Sequence, residues 1–317
     1  MSQFITGIHH VTAFAGDTQK NIDFYTGILG LRLLKRTVNF DNNQVYHLYY
    51  GNQQADTGSI TFFPYPGLAR GRKGLGQLIT TSFSIASAAL DYWMNRLKKF
   101  GVRYNPPQVR FEDETFIYFE DEDGLGLELV ANSKDNRQRF SNGIIPAGHA
   151  IAGFYGVALS VGAYEKTAGV LTGLLDHQQV GQEKNRIRYS ASGKPGDFVD
   201  LLFHPNQMRG LRGSGTVHHL AFAASTFQAQ EALRKKIVDM GYEVTSILDR
   251  SYFKSIYFNE PEGILFEVAT LLPGFTADED LDHLGEALRL PPWLEPDRSA
   301  IEQHLHPFTI DTTKFRD

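Results

Sequence analysis

Two stretches far apart in the chain carry one pattern: GIHHVTAFAGD (Gly7 to Asp17) and TVHHLAFAAST (Thr216 to Thr226). Both alternate as strands do, close on small or capping residues and run into a helical pattern. The first helix is expected from about Thr18, with Ile22, Tyr25 and Ile28 on one face and a stop at Gly30. The later one places Leu233, Ile237 and Met240 at helical spacing and stops at Gly241. Leu90, Trp93, Leu97 and Phe100, ahead of Gly101, predict a third such helix, and residues 165–175 a weaker fourth.

Three short strand-like runs follow each helix, and the last of them repeats as well. FIYFEDEDGLGLELVA (Phe116 to Ala131) answers SIYFNEPEGILFEVAT (Ser255 to Thr270), each with a Tyr, a Gly-containing turn and a Glu ten residues after the Tyr. Self-similarity at this period predicts repeated supersecondary units. The expected fold class is α+β: four βαβββ modules, at 4–67, 76–133, 148–206 and 214–272, forming two bowl-shaped mixed-sheet units. Contiguous modules are expected to pair into domains 4–133 and 148–272, joined by the linker 134–147. Residues 273–317, with LPPWLEP, read as a C-terminal tail of helix and loop packed on the outside.

A chain of 317 residues that is 42% hydrophobic and 21% charged has enough material for two cores. With a net charge of −5 and no basic block, nucleic acid and anionic membrane are not expected partners. The absence of cysteine excludes disulfides, thiolate metal sites and cysteine nucleophiles. No signal-peptide pattern or spanning apolar run is visible, and a cytoplasmic protein is expected.

Strand alternation decides which histidine of each pair could bind a metal. His10 shares a face with Thr12 and Phe14, and His219 with Ala221 and Ala223. His9 and His218 fall with Val11 and Leu220 on the face expected beneath a helix. Glu267 stands alone against Ile264, Phe266 and Val268, and a lone buried carboxylate needs a cation. Glu267 lies 48 residues after His219, and the same offset before Glu128 lands on Thr80. Module one offers His10 with Thr61 at the carboxylate position, and module three offers Gly156 and Asp200. One complete set remains, His10, His219 and Glu267, a two-histidine, one-carboxylate triad suited to one divalent ion. Glu128 reads as a structural remnant, and His304 and His306 as part of a solvated tail. His47, His149, His177, His204 and His283 carry no spacing signal.

These residues resemble the vicinal-oxygen-chelate superfamily of glyoxalases, fosfomycin- and bleomycin-resistance proteins and extradiol dioxygenases. Four modules and the tail LPPWLEPDRSAIEQHL (Leu290 to Leu305) are most similar to bacterial ring-cleaving dioxygenases of hydroquinone and catechol compounds. The resemblance implies His10, His219 and Glu267 as ligands of Fe(II), or of Mn(II), Zn(II) or Ni(II). It implies Tyr257 as a catalytic tyrosine that hydrogen-bonds a substrate oxygen. It also implies a small aromatic substrate, dioxygen as co-substrate, and a homodimer. Two departures stand out. The first ligand comes from module one rather than module three, so modules one and four should meet around the metal. The run before Tyr257, LDRSYFKS, holds no acid–base histidine, which leaves His218 or His47 as candidate bases. The alternatives are a glyoxalase-like lyase or isomerase, and a non-catalytic binder of aromatic compounds or drugs.

Overall fold

The computed structural model describes residues 4–56 and 58–316. Module one is β1 (Ile5–Ala15), α1 (Thr18–Ile22), β2 (Arg32–Asn39), β3 (Asn42–Gly51) and β4 (Ser59–Pro64). Module two is β5 (Gln77–Ile85), α2 (Leu90–Lys99), β6 (Gln108–Arg110), β7 (Glu114–Glu120) and β8 (Gly126–Ala131). Module three is β9 (Gly153–Val161), α3 (Tyr164–Gly173), β10 (Gln178–Glu183), β11 (Arg186–Ser190) and β12 (Phe198–Phe203). Module four is β13 (Val217–Ala224), α4 (Phe227–Asp239), β14 (Leu248–Asp249), β15 (Lys254–Asn259) and β16 (Leu265–Thr270). The tail carries α5 (Arg298–His304).

The helices form where the apolar spacing predicts them. Asp17 caps α1 by accepting from the Lys20 N–H at 2.9 Å, and a π-helical turn over Asp23–Ile28 carries Tyr25 and Ile28 into the core. Trp93 and Leu97 of α2, and Leu233 and Ile237 of α4, are fully buried. Met240 departs from its expected place: α4 ends at Asp239, and this side chain is exposed.

The strands form two eight-stranded mixed sheets, but not from contiguous halves. One sheet runs β14-β15-β16-β13-β1-β4-β3-β2 and the other β10-β11-β12-β9-β5-β8-β7-β6. Modules one and four therefore share a bowl, as the split ligand set requires, and modules two and three share the other, so the sheets do not follow the expected domains 4–133 and 148–272. Each first strand is parallel to the last strand of its own module, as β1 is to β4, and this leaves its other edge open. The linker turns β9 back antiparallel onto β5, and β13 closes onto β1. Such pairing removes unpaired edges from the middle of both sheets.

At both seams residues drop out of the pairing, and at the first they are Thr6 and His9 of β1 and His218 of β13. Ile8 pairs with Phe222 and His10 with Ala221, leaving His9 in a bulge; Thr12 pairs with His219 and Ala13 with Val217, leaving His218 in another. The second seam repeats the device at Ile79 and Tyr155. A bulge re-aims side chains that strict alternation would send the other way. His9 and His218 accordingly escape the helix-covered face and point toward cavities on the inner side of the sheet.

The tail does more than coat the surface. Lys35 of β2, fully buried, donates to the Phe275 carbonyl and Asp278, and pairs with Glu279. Phe315 packs on Gly27, and its carbonyl accepts from Arg96.

Candidate metal centre

His10 and His219 meet across the β1–β13 seam, while Glu267 reaches them from β16, the parallel neighbour of β13. Glu267 stands opposite Ala221, two residues past His219. The matching position in module one, opposite Thr12, is Thr61. Cross-strand register thus explains the spacing read in the sequence. The Tyr-to-Glu interval is also a register, because Tyr257 pairs directly with Glu267 and Tyr118 with Glu128.

His10, His219 and Glu267 are exposed by only 1%, 4% and 0%. The two Nε2 atoms lie 2.9 Å apart, and Oε2 of Glu267 is 2.9 Å from His219 and 3.2 Å from His10. Among the described residues these three are the one group of histidine and carboxylate side chains whose donor atoms converge closely enough for a metal. Donors cis to one another on an ion at about 2.1 Å stand about 3.0 Å apart, so the triangle fits one face of an octahedral ion. The carboxylate supports the same conclusion. Ser255 donates to Oε1, whereas Oε2 is buried without a hydrogen bond of acceptable geometry. Burial alone would raise the Glu267 pKa, but the two imidazoles hold it well below the usual range. That lowering needs positive charge beside Oε2, which a bound metal ion would supply in place of imidazole protons.

The histidines in the bulges orient the ligands. Nδ1 of His10 is 2.7 Å from Nδ1 of His9, and Nδ1 of His219 is 2.7 Å from Nδ1 of His218. Burial first, and the neighbouring imidazole second, push both His9 and His218 down to about 3, so they are neutral and can accept. An Nδ1–H donated backward leaves each ligand's Nε2 lone pair aimed at the centre.

A cavity of about 400 Å³ opens over the triad, walled by Phe14, Phe40, Tyr49, Phe63, Phe253 and Tyr257 among others. The Tyr257 hydroxyl accepts from Nε of Arg250 at 3.2 Å, and both terminal nitrogens of Arg250 bond Asp41 at 3.0 Å. Burial, then the Glu267 charge, raise the Tyr257 pKa far above its usual value, which keeps the phenol protonated. On the opposite wall the Tyr49 hydroxyl lies 2.9 Å from Nδ1 of His47, whose Nε2 lies 2.8 Å from Oγ1 of Thr61. Thr61 is in turn 2.7 Å from Thr12. Burial, followed by the charges of His10 and His219, lowers His47 well below its usual pKa.

The structure thus brings His10, His219 and Tyr257 to one cavity, with Glu267 buried against the two imidazoles, and adds His47 and His218 to the wall. Arg250 and Tyr49 carried no sequence signal. Tyr49 stands opposite Thr61 as Tyr257 stands opposite Glu267, and cross-strand counting could have found it. His304 is exposed, as expected of a solvated tail, and His149 stacks on Tyr92 away from the site.

The family model for the Glyoxalase/Bleomycin resistance protein/Dioxygenase superfamily matches residues 7–129 and 153–268, and the chain belongs to that superfamily. It is 42% identical over 311 residues to a Bacillus subtilis (strain 168) protein named "Putative ring-cleaving dioxygenase MhqO", covering 98% of this chain and 99% of that one. It is 30% identical over 300 residues to the chlorohydroquinone/hydroquinone 1,2-dioxygenase of Sphingobium indicum, covering 92% and 93% of the two chains. The crystal structure of a "putative dioxygenase" from Bacillus subtilis superposes with a TM-score of 0.92 at 42% identity, over 97% and 98% of the two chains. Glyoxalase I of Zea mays, at 14% identity, a TM-score of 0.64 and coverage of 83% and 92%, shares the fold. Among the described residues no helix is long and apolar enough to cross a membrane.

Proposed function

We propose that this chain is a ring-cleaving dioxygenase of the extradiol type, acting on a catechol or hydroquinone-like diphenol at one metal ion held by His10, His219 and Glu267. The observation that carries the reading is the buried donor triangle at the floor of an aromatic cavity, with Thr61 rather than a carboxylate at the fourth position. The names of the relatives support the same substrate class. Fe(II) suits the triad best, with Mn(II) next, and when bound it would supply chelation of substrate oxygen and electron coupling to dioxygen.

The chain's own residues do the rest. The aromatic walls take up a ring of diphenol size and exclude water. Tyr257, kept protonated and oriented by Arg250, donates to a substrate oxygen. His47 has both ring nitrogens engaged by Tyr49 and Thr61, so it positions that wall. His218 also lines the cavity, but its one acceptor nitrogen, Nδ1, is taken by His219, so it orients that ligand rather than accepting the substrate's phenolic proton.

A glyoxalase-like lyase or isomerase would be expected to place a fourth protein ligand at Thr61, whose hydroxyl is instead bound to Thr12 and His47. The test is anaerobic loading with Fe(II), then a panel of catechols and hydroquinones, then oxygen. The expected result is oxygen uptake matched to diphenol loss, with a yellow ring-opened product from catechol. No uptake with any diphenol would refute the reading.

A further inference from the structure

The tail motif LPPWLEP, at residues 290–296, carries a tryptophan to the rim of the cavity over the triad. Just ahead of the motif the chain lies along the outer edge of β2. There Leu288 bridges to Arg36, and the Arg289 N–H donates to the Arg36 carbonyl at 2.9 Å. Leu290 is buried, and Pro291 and Pro292 fix their own φ angles, so the next side chain is presented on a stiff spacer. The Leu294 N–H donates to the Pro291 carbonyl at 2.9 Å and closes the turn. Trp293 in this turn is 48% exposed, and its one ring contact among the described residues is with Phe40, edge to face at 5.7 Å.

Phe40 and Asp41 are the whole turn between β2 and β3, and both line the cavity. The Asp41 side chain is 72% exposed, which puts this tip at the rim and not at the floor. Two latches hold the tip from different elements. Arg250 of module four bonds Asp41 through both terminal nitrogens, and Trp293 of the tail backs Phe40. An apolar site of about 150 Å³ takes up one benzene ring, so a diphenol seated over the triad leaves part of the cavity of about 400 Å³ to its substituents. We propose that Trp293 is a specificity-determining residue: by pinning Phe40 at the rim, it limits the size of the substituent a bound diphenol can carry. The inference rests on the dioxygenase reading above and deepens it. Trp293 acts through Phe40 and lines no part of the cavity itself, so it is a positioning residue. Without the indole, Phe40 loses its outer support and is free to swing toward solvent. The triad, Tyr257 and the Arg250 latch keep all their contacts.

The test is anaerobic binding to the Mn(II)-loaded protein, followed by calorimetry. Catechol and hydroquinone are compared with their phenyl-bearing counterparts, 2,3-dihydroxybiphenyl and phenylhydroquinone. In Trp293→Ala the affinity ratio of phenyl-bearing to parent diphenol should rise about fivefold or more, with parent affinity and metal content unchanged. Phe40→Ala should raise the same ratio, and serves as the second variant should the alanine at 293 unsettle the tail. A ratio unaltered in either folded variant, or equal loss of affinity for all four ligands, overturns the proposal. Diphenol binding without oxygen uptake by the Fe(II)-loaded wild type overturns the functional reading, while the ratio still decides the role of Trp293. No binding of any diphenol by the wild type overturns both.

Discussion

The two bowls share one architecture and neutralise their buried carboxylates in opposite ways. In the bowl of modules one and four, Glu267 faces two imidazoles and no protein cation. In the bowl of modules two and three both carboxylate positions are filled, by Glu128 and Asp200, and the histidine positions are Thr80 and Gly156. Arginines occupy the space. Arg110 bonds Glu128 at 2.8 Å and Glu114 at 2.8 Å, Arg188 joins Glu114 to Asp200, and Arg186 bonds Asp200 at 2.6 Å. Burial opposes ionisation of Asp200, yet these guanidinium groups hold it at about 2. Arg188 stands opposite Asp200 as Tyr257 stands opposite Glu267. One bowl therefore carries its own cations, and the other holds a donor set that could take one. The closed bowl does not revert by a single change, since a Cβ at Gly156 would lie 2.6 Å from the Phe198 carbonyl oxygen.

The largest effect should come from Glu267→Gln. Metal affinity should fall by more than about 100-fold, with oxygen-dependent turnover lost. Glu128→Gln in the other bowl should leave the metal content, read by mass spectrometry, unchanged. Next is Arg188→Met, which removes the guanidinium shared by Glu114 and Asp200 and leaves them only Arg110 and Arg186. Urea unfolding should show a loss of about 3–5 kcal/mol, again with metal content intact. Thr61→Glu would add the fourth ligand that the open bowl lacks. Metal should be retained while oxygen uptake falls about tenfold or more, and unchanged uptake would show that the fourth position is not what keeps the site open.

The smallest effect concerns the contact between bowls. Asp121 of module two accepts from the Tyr25 hydroxyl of module one at 3.0 Å, and burial raises its pKa from 3.8 to about 7. Between those values the folded state holds a proton that the unfolded state has lost. Stability from this group is therefore full below about 4 and declines as pH rises toward 7. Asp121→Asn should flatten that slope in thermal unfolding, and an unaltered slope would refute the assignment.

Much of this was legible before any coordinates. The repeated His–His strands and the Tyr–turn–Glu hairpins pointed to the modules and to the three side chains that converge, because strand periodicity and cross-strand register are local rules. Long-range assembly was less legible. Contiguity favoured domains 4–133 and 148–272, whereas the ligand set divided between modules one and four required those two to meet, and the sheets follow the ligand set. Alternation sent His9 and His218 beneath the helices, and a one-residue bulge, which leaves no mark in composition, turned both inward. Arg250 was read only as the absence of a histidine, although it holds the Tyr257 hydroxyl.

Anomalous diffraction from crystals soaked in Fe(II) or Mn(II) addresses the two bowls at once. A single peak is predicted, about 2.0–2.3 Å from Nε2 of His10, Nε2 of His219 and Oε2 of Glu267, with none beside Glu128 or Asp200. A peak held by other side chains, or no peak at saturating metal, would contradict it.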